Sequence, residues 1–353
     1  MCCLRVKRLL PAILVLILVS AGRAEDSGLA ADPFHKPDRG PRGELEAKAV
    51  AHGLAVLQRG AREYPAHQAC FACHHQTLPL LAMKSAREAG VDVDETLFQE
   101  QSKFTRNSFL QRQDRLALGK HIGGQAATTS YGLWALALSN DKPDELTEAM
   151  TTYLLSIQHT DGYWKPPSNR PPLEVSSVSC TVLSAVGIQR FAAESQQEQV
   201  AIAISRAKLW LATAPLEDQE DLNFALWGEI LLGGTEERKA EIRDRILAAR
   251  HADGGWSQKT SMNSDAYATG QTLYVLMETG LDSSEAVIRE GLAYLMDTQL
   301  DDGSWHVVTR SKPIQPWFDN GDPHDKDQFI SITATGWATS ALARAMPRRP
   351  AQK

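Results

Sequence analysis

The chain has 353 residues, of which 43% are hydrophobic and 23% are charged. These proportions are ordinary for a globular protein and exclude a largely disordered chain. The 43 acidic residues outnumber the 37 basic ones, so the net charge is −6. An acidic balance argues against nucleic acid or an anionic membrane surface as a partner.

Residues 1–24 have the layout of a secretory signal peptide. Basic side chains at Arg5, Lys7 and Arg8 precede a short apolar run over residues 9–19, and small residues follow it. The run is short of the roughly 20 residues that a membrane-spanning helix needs, so an uncleaved anchor is the weaker alternative. Cleavage leaves 33 basic residues against 43 acidic ones, a net charge of −10. We therefore expect an exported, periplasmic or extracellular protein whose mature chain does not span a membrane.

The remaining chain is predicted to hold one domain. Residues 25–45 contain three prolines and predict a flexible lead-in. Residues 46–346 alternate between polar loops and segments with apolar residues at helical spacing, and residues 347–353 form a tail.

The periodic segments pair into six helical hairpins. The second helix of each pair is apolar on nearly all faces, which predicts that the second helices are buried and the first helices surround them. The first helices are predicted to begin near Glu46, Glu95, Glu145, Gln197, Glu236 and Glu285. The second helices are predicted to begin near Gln76, Ala126, Val175, Asp221, Asp265 and Phe329.

The loop inside the first hairpin carries the motif Cys70-x-x-Cys73-His74. Cys-x-x-Cys-His is the attachment signature of c-type haem, in which two thiols add to the vinyl groups of the porphyrin and the histidine is the proximal iron ligand. Haem c is attached outside the cytoplasm, in keeping with the predicted export. Two alternatives stay open: a Cys70–Cys73 disulfide, and a structural zinc site with His74 or His75, which lacks the usual second ligand pair. The sequence does not identify a sixth ligand of the iron.

Polar residues begin the second helices, so we expect them at one shared end of the assembly. They are His75, Gln76, Gln125, Glu174, Asp221, Asn223, Asp265, Asp327 and Gln328. Most are expected to cap their helices. Asp221, Asp265 and His75 are weak candidates for a catalytic site beside the haem. The long loop over residues 312–324 is predicted to fold over this end as a lid.

One phrase recurs three times between the helices of a pair. Its copies are Gln158 to Trp164, Arg250 to Trp256, and Gln299 to Trp305, and their aspartates are 92 and 49 residues apart. These spacings fit a sequence repeat of about 47 residues in which one copy, between the first two phrases, has lost the motif. Asp-Gly favours a tight turn, and the tryptophan is expected to cover the junction between hairpins while its N–H donates to a carbonyl.

The phrase resembles the Gln-x-x-Asp-Gly-Ser-Trp repeat of squalene-hopene cyclases and protein prenyltransferases. The copy at residues 299–305 matches every defined position, the copy at 158–164 has Tyr163 in place of serine, and the copy at 250–256 lacks the glutamine. The resemblance covers residues 46–346. It implies an all-α protein, an (α/α)6 barrel with six inner helices inside an outer helical ring. It says little about the reaction, because one fold hosts many functions.

The catalytic residues of these families have weak counterparts here. Squalene-hopene cyclases use an Asp-x-Asp-Asp acid, whereas the nearest match, residues 92–95, precedes an outer helix, where acidic residues are ordinary first-turn partners. Prenyltransferase β subunits bind zinc through inner-helix Asp, Cys and His. Cys180 lies on an inner helix but has Val178 where that aspartate would stand, so we interpret it as a small buried hydrophobe.

Three hypotheses stay open, and the sequence leaves it uncertain whether the protein is an enzyme. The first is an exported barrel that carries one covalent haem c and exchanges electrons with a redox partner. The second is a cyclase-like enzyme, without the usual acid, whose cavity binds an isoprenoid or another apolar small molecule. The third is a non-catalytic scaffold that binds a partner protein.

Overall fold

A computed structural model describes residues 42–313 and 316–347 of the chain. This part of the protein contains thirteen α-helices and no β-strand. The predicted signal peptide, most of the predicted lead-in and most of the tail lie outside the described residues. None of the described helices combines the length and the apolar character that crossing a bilayer requires.

The helices alternate between outer and inner positions. The outer helices are α1 (Arg42–His67), α3 (Glu95–Leu110) with the short α4 (Gln113–Ala117), α6 (Glu145–Ser156), α8 (Gln197–Thr213), α10 (Glu236–Ala248) and α12 (Ala286–Thr298). The inner helices are α2 (Leu78–Glu88), α5 (Gln125–Leu138), α7 (Ser177–Phe191), α9 (Gln219–Leu231), α11 (Ala266–Glu278) and α13 (Gln328–Ala345). A π turn, Cys73–Thr77, leads into α2.

The six predicted hairpins are confirmed. Helices α3, α6, α8 and α10 begin at the predicted residues, whereas α1 begins at Arg42 rather than near Glu46. The predicted difference in burial is also confirmed: α10 buries two side chains, Ile242 and Ile246, whereas nearly all of α13 is buried.

The inner helices form a closed ring. Each inner helix packs against the next in chain order, and the last one, α13, packs against the first one, α2. Small residues allow this close approach: a Cβ on Gly270 of α11 would lie 2.6 Å from the backbone nitrogen of Ala338 in α13. The protein is therefore the (α/α)6 barrel that the sequence predicts.

The recurring phrases connect the outer helix of a hairpin to its inner helix. Their tryptophans, Trp164, Trp256 and Trp305, are at most 1% exposed. The indole nitrogens donate at 2.7–2.8 Å to the carbonyl oxygens of Leu154, Ile246 and Leu295. The backbone nitrogens of the same tryptophans donate to the hydroxyls of Thr181, Thr269 and Thr335 on the following inner helices. The rings also reach the next hairpin: a Cβ on Gly291 of α12 would lie 3.1 Å from the Trp256 ring, and one on Gly53 of α1 would lie 3.2 Å from the Trp305 ring. The predicted role is confirmed for these two tryptophans.

The third phrase also joins the end of the barrel to its beginning. The side-chain nitrogen of Gln299 donates to the carbonyl of Ala49 in α1 at 2.9 Å. Gly303 has φ +89°, and a Cβ there would lie 2.5 Å from the carbonyl oxygen of His52. Only glycine fits this contact between α1 and the turn after α12.

Three indole rings meet inside the ring of inner helices. Trp134, Trp227 and Trp337 come from α5, α9 and α13, which are alternate members of the ring, and their ring centroids are 5.2–6.2 Å apart. We call them the tryptophan cluster. Because helices on different sides of the ring meet only at its axis, the cluster fills the middle of the barrel. On the side where the inner helices end, Leu81, Leu138 and Tyr274 line a cavity of about 40 Å³, room for little more than water.

Candidate functional site

The barrel mouth is the end at which the inner helices begin. The described parts of the last loop, residues 306–313 and 316–324, lie over it. The hydroxyl of Ser311 donates to the carbonyl of Pro171 at 2.9 Å, and Arg310 donates to Gln258 at 2.9 Å. Further along, the ring of Phe318 stacks on His67 with centroids 5.1 Å apart. The described parts of the loop therefore contact hairpins on different sides of the rim, and within the predicted residues 312–324 it is Phe318 that covers the mouth.

The Cys-x-x-Cys-His motif lies at this mouth. Cys70 follows the end of α1, while Cys73 and His74 occupy the π turn before α2. All three residues are partly exposed. The described cysteines are free thiols, and the Sγ atom of Cys70 lies 3.8 Å from the hydroxyl of Tyr64.

His74 and His75 hydrogen-bond to each other through their Nδ1 atoms, so one of these atoms carries the proton and the other accepts it. His75 is fully buried and stacks on Tyr64 with centroids 4.7 Å apart. His74 packs against Phe329 at 4.7 Å, and the bond to His75 is the only side-chain hydrogen bond that His74 makes among the described residues. Burial, with the Arg170 charge second, lowers the pKa of His74 to about 3. Its imidazole is therefore neutral, the form that binds a metal.

An ion pair between Arg170 and Glu174 lies in the loop before α7, close enough to act on the motif. Burial raises the pKa of the Cys73 thiol to about 12, and the Glu174 carboxylate adds to this effect. Cys73 is accordingly a thiol and not a thiolate at neutral pH.

The donor set fits a covalently attached haem c. Two free thiols, separated by two residues along the chain, lie beside a neutral imidazole whose Nδ1 atom is bonded to His75 and whose Nε2 atom is not. In metal-binding histidines, a hydrogen bond at one ring nitrogen fixes the tautomer and leaves the other nitrogen for the metal. Among the described residues, no group of three or more His, Cys, Asp and Glu side chains is arranged to hold a bare metal ion.

The two aspartate candidates have structural partners. Asp221 accepts hydrogen bonds from the Ser176 hydroxyl at 2.6 Å and from the Glu217 backbone nitrogen at 2.9 Å. Asp265 is the N-cap of α11 and also accepts from Gln258. Both carboxylates hold loops in place at the mouth, and their catalytic role stays a prediction.

Glu220, which the sequence analysis did not single out, has a different environment. It is 3% exposed, and its Oε2 atom accepts from the Tyr267 hydroxyl at 2.8 Å and from the Gln271 amide at 2.9 Å. Its Oε1 atom is buried and has no hydrogen-bond partner. Burial raises the pKa of Glu220 to about 8, so this carboxyl group is mostly protonated at neutral pH. The available signal was a second acidic residue, next to Asp221, in the first turn of an inner helix.

Groups from opposite sides of the ring converge near Glu220. Burial raises the pKa of both Tyr131 and Tyr267, and the nearby Glu220 carboxyl group raises them further. Tyr131 lies on α5 and Tyr267 on α11, opposite members of the six-helix ring. Tyr131, Tyr267 and Glu220 are therefore close enough inside the ring of inner helices to influence one another's ionisation.

No protein-family model matches the chain, and no curated protein matches it. Solved structures do resemble it. The type II terpene cyclase MstE from Scytonema superposes with a TM-score of 0.58 at 13% identity, covering 87% of this chain and 99% of that chain. A glycosidase gives a TM-score of 0.58 at 10% identity, covering 87% and 98%. A protein from Actinoplanes gives 0.53 at 17% identity, covering 85% and 99%. At these identities the likeness shows the fold alone: a terpenoid cyclase-like helical toroid.

Proposed function

We propose that the protein is an exported helical toroid that carries one haem c, bound through Cys70 and Cys73 with His74 as the proximal ligand, and that it exchanges electrons with a redox partner at the barrel mouth. One observation carries this proposal. Two free thiols flank the mouth beside a neutral histidine whose Nδ1 is bonded to His75 and whose Nε2 is not.

Each motif residue has a defined task in this proposal. The thiols of Cys70 and Cys73 hold the group covalently, and a bound haem supplies one-electron chemistry. His75 fixes the orientation of the His74 ring through the bond between their Nδ1 atoms. Phe329 packs against the same ring and restricts its rotation.

The surroundings of the motif add two functions. The last loop covers the mouth and limits the access of water, with Phe318 packed on His67. Arg170, held by its ion pair with Glu174, lies close to Cys73 and His74. The two opposite charges largely offset each other, so the pair orders the loop beside the motif without giving the mouth a net charge.

The direct test is a haem stain of the denatured protein, because only a covalently attached haem survives denaturation. The full chain, with its signal peptide, is produced together with a cytochrome c maturation system. We expect a stained band and a reduced-minus-oxidised haem spectrum. We also expect a mature N-terminus at Glu25, which tests export separately.

Matched variants identify the residues responsible. We expect Cys70→Ala with Cys73→Ala to abolish the stain, whereas Cys180→Ala, which removes a buried thiol outside the motif, leaves it unchanged. His74→Ala is expected to alter the haem spectrum, whereas the exposed His121→Ala does not. A folded wild-type protein without stain rejects the proposal. An apolar lipid in that protein, identified by mass spectrometry, favours the isoprenoid-binding hypothesis instead.

A further inference from the structure

The outer helix α8 presents large apolar side chains to solvent. Ile202 is 55% exposed and Leu209 is 74% exposed, and the seven residues between them span about two helical turns, so both lie on the same side of the helix. The side of α8 that packs on the barrel is separate and consists of Val200, Ala203, Ala207 and Leu211. An outer helix ordinarily has a polar side opposite its buried one, and α8 does not follow this rule.

The next outer helix, α10, shows that the position in the barrel does not require apolar surface. All of its exposed residues are charged; they are Glu236, Glu237, Glu241, Asp244 and Arg245. On α8, by contrast, the only exposed charged residue after the first turn is Lys208. Exposed apolar side chains that are grouped in this way mark surfaces that bind another molecule.

The exposed residues of α8 form one continuous surface, which we call the α8 face. At about 100° per residue, its members all point within about 60° of the direction of Ser205. They are Glu198, Ala201, Ile202, Ser205, Lys208, Leu209 and Ala212.

Neighbouring side chains widen the α8 face. On one side, the ring of Trp210 stacks on Tyr163 with centroids 4.9 Å apart, and both residues are partly exposed. On the other side, Lys208 donates to the carbonyl of Leu232 at 2.9 Å, next to Leu231, which is 38% exposed. The surface available to a partner is therefore wider than a single helix.

The α8 face is complementary in shape to a second copy of itself. When two such helices cross antiparallel with a two-fold axis at Ser205, each residue lies opposite the residue equally far from Ser205 on the other helix. Leu209 of one copy then lies opposite Ala201 of the second copy, so a large side chain meets a small one at two equivalent places.

The charges on the α8 face also favour this arrangement. Glu198 lies near the start of the helix and Lys208 lies toward its end. Antiparallel pairing brings Glu198 of one copy within about one helical turn of Lys208 of the second copy, twice in the dimer. Parallel pairing would place each charge beside its own like, which is unfavourable.

We propose that the protein forms a two-fold symmetric dimer in which the α8 faces of two copies pack antiparallel. One pair of helix faces buries less than the roughly 800 Å² per partner of a standard tight interface, so we expect a dissociation constant of about 1–100 μM. The dimer does not depend on the proposed haem, because α8 carries no residue of the Cys70 motif.

The test is sedimentation equilibrium of the purified full chain over concentrations that bracket this range. We expect the wild type to pass from monomer to dimer as its concentration rises, and Leu209→Glu to stay monomeric. The matched control is Leu118→Glu, which puts the same charge at a position 66% exposed and two hairpins away. It should dimerise like the wild type. Circular dichroism verifies that each variant is folded.

Two further experiments test the antiparallel register. Glu198→Lys should weaken the dimer about tenfold, and the addition of Lys208→Glu should restore it. Under mild oxidation, Ser205→Cys should form a covalent dimer, because the two copies of this residue meet at the axis. Ala201→Cys should not, because it lies opposite Leu209.

Three results overturn the proposal. The first is a wild-type protein that stays monomeric throughout the range, which would leave the α8 face to a partner of another kind. The second is a dimer that Leu209→Glu leaves intact. The third is covalent dimer formation that is as efficient for Ala201→Cys as for Ser205→Cys.

Discussion

Glu220 and Asp221 lie side by side in the first turn of α9, but their carboxyl groups have different partners. Asp221 points back to the loops at the mouth and accepts from Ser176 and Glu217. Glu220 points toward the barrel axis, where it bonds to Tyr267 and Gln271. A helix turns about 100° per residue, so neighbouring side chains necessarily face different surroundings.

The raised pKa of Glu220 predicts a change of stability with pH. Its pKa is about 8 in the folded protein and about 4.5 when it is exposed, so between these values the folded state binds more protons than the unfolded state. Stability therefore falls as the pH rises through this window. Glu220→Gln removes this loss and should gain about 1–4 kcal/mol over the wild type by pH 8. Urea unfolding at pH 5, 6.5 and 8 measures the difference.

The control for this prediction is Glu229→Gln, which should keep the pH dependence of the wild type. If Glu220→Gln and the wild type lose stability in parallel from pH 5 to pH 8, Glu220 is ionised in the folded protein and the prediction is wrong.

At the scale of the elements, the recurring phrases fix each outer helix to its inner partner. Trp256 is fully buried, and its indole donates to Ile246 at 2.7 Å. Trp256→Phe leaves that carbonyl without its donor and a void beside it, and should cost about 2–4 kcal/mol of unfolding free energy. Trp317→Phe, at a position 61% exposed, should cost less than about 0.5 kcal/mol. The unfolding free energies of both variants are measured by chemical denaturation. Equal losses in the two variants would contradict this role of Trp256.

Alanine substitutions at two glycines distinguish the energetic cost of backbone conformation from the cost of a steric clash. Gly303 and Gly280 both have positive φ, but a Cβ would meet the His52 carbonyl only at Gly303, since nothing lies within 4 Å at Gly280. Gly280→Ala should therefore cost only the conformational penalty of about 1–2 kcal/mol. Gly303→Ala should cost at least about 3 kcal/mol, because the junction with α1 must also move. Thermal unfolding of both proteins distinguishes the two contributions, and equal melting temperatures would contradict the close contact.

The outer helices were predictable and the barrel interior was not. Helices α3 and α6 begin after aspartates that cap them, Asp94 and Asp144, so their starts are visible in the sequence. The inner helices are apolar on all sides, so no stripe indicates which residues face the axis. For this reason the tryptophan cluster and the inward orientation of Glu220 needed the structure. The Cys70 motif was recognised from spacing alone, but its π turn was not.

At the scale of the whole molecule, ring closure leaves no terminal hairpin with a free face. An open array of repeats can unfold from its ends, whereas in a closed ring each inner helix has two inner neighbours. We expect one cooperative transition in which far-ultraviolet circular dichroism and tryptophan fluorescence coincide. Removal of the last hairpin, residues 286–347, should abolish that transition, because it uncovers α11, α1 and α2 together. Two separate transitions, or a truncated chain that still melts cooperatively, would contradict this expectation.

The three indoles that meet at the barrel axis determine whether a small molecule can pass along that axis. Their centroids are no more than 6.2 Å apart, which is too close for a flat ring to pass between them. The cluster thus closes the barrel axis, so the mouth and the opposite end of the ring of inner helices do not communicate along it. A molecule bound at either end can arrive and leave only at that end.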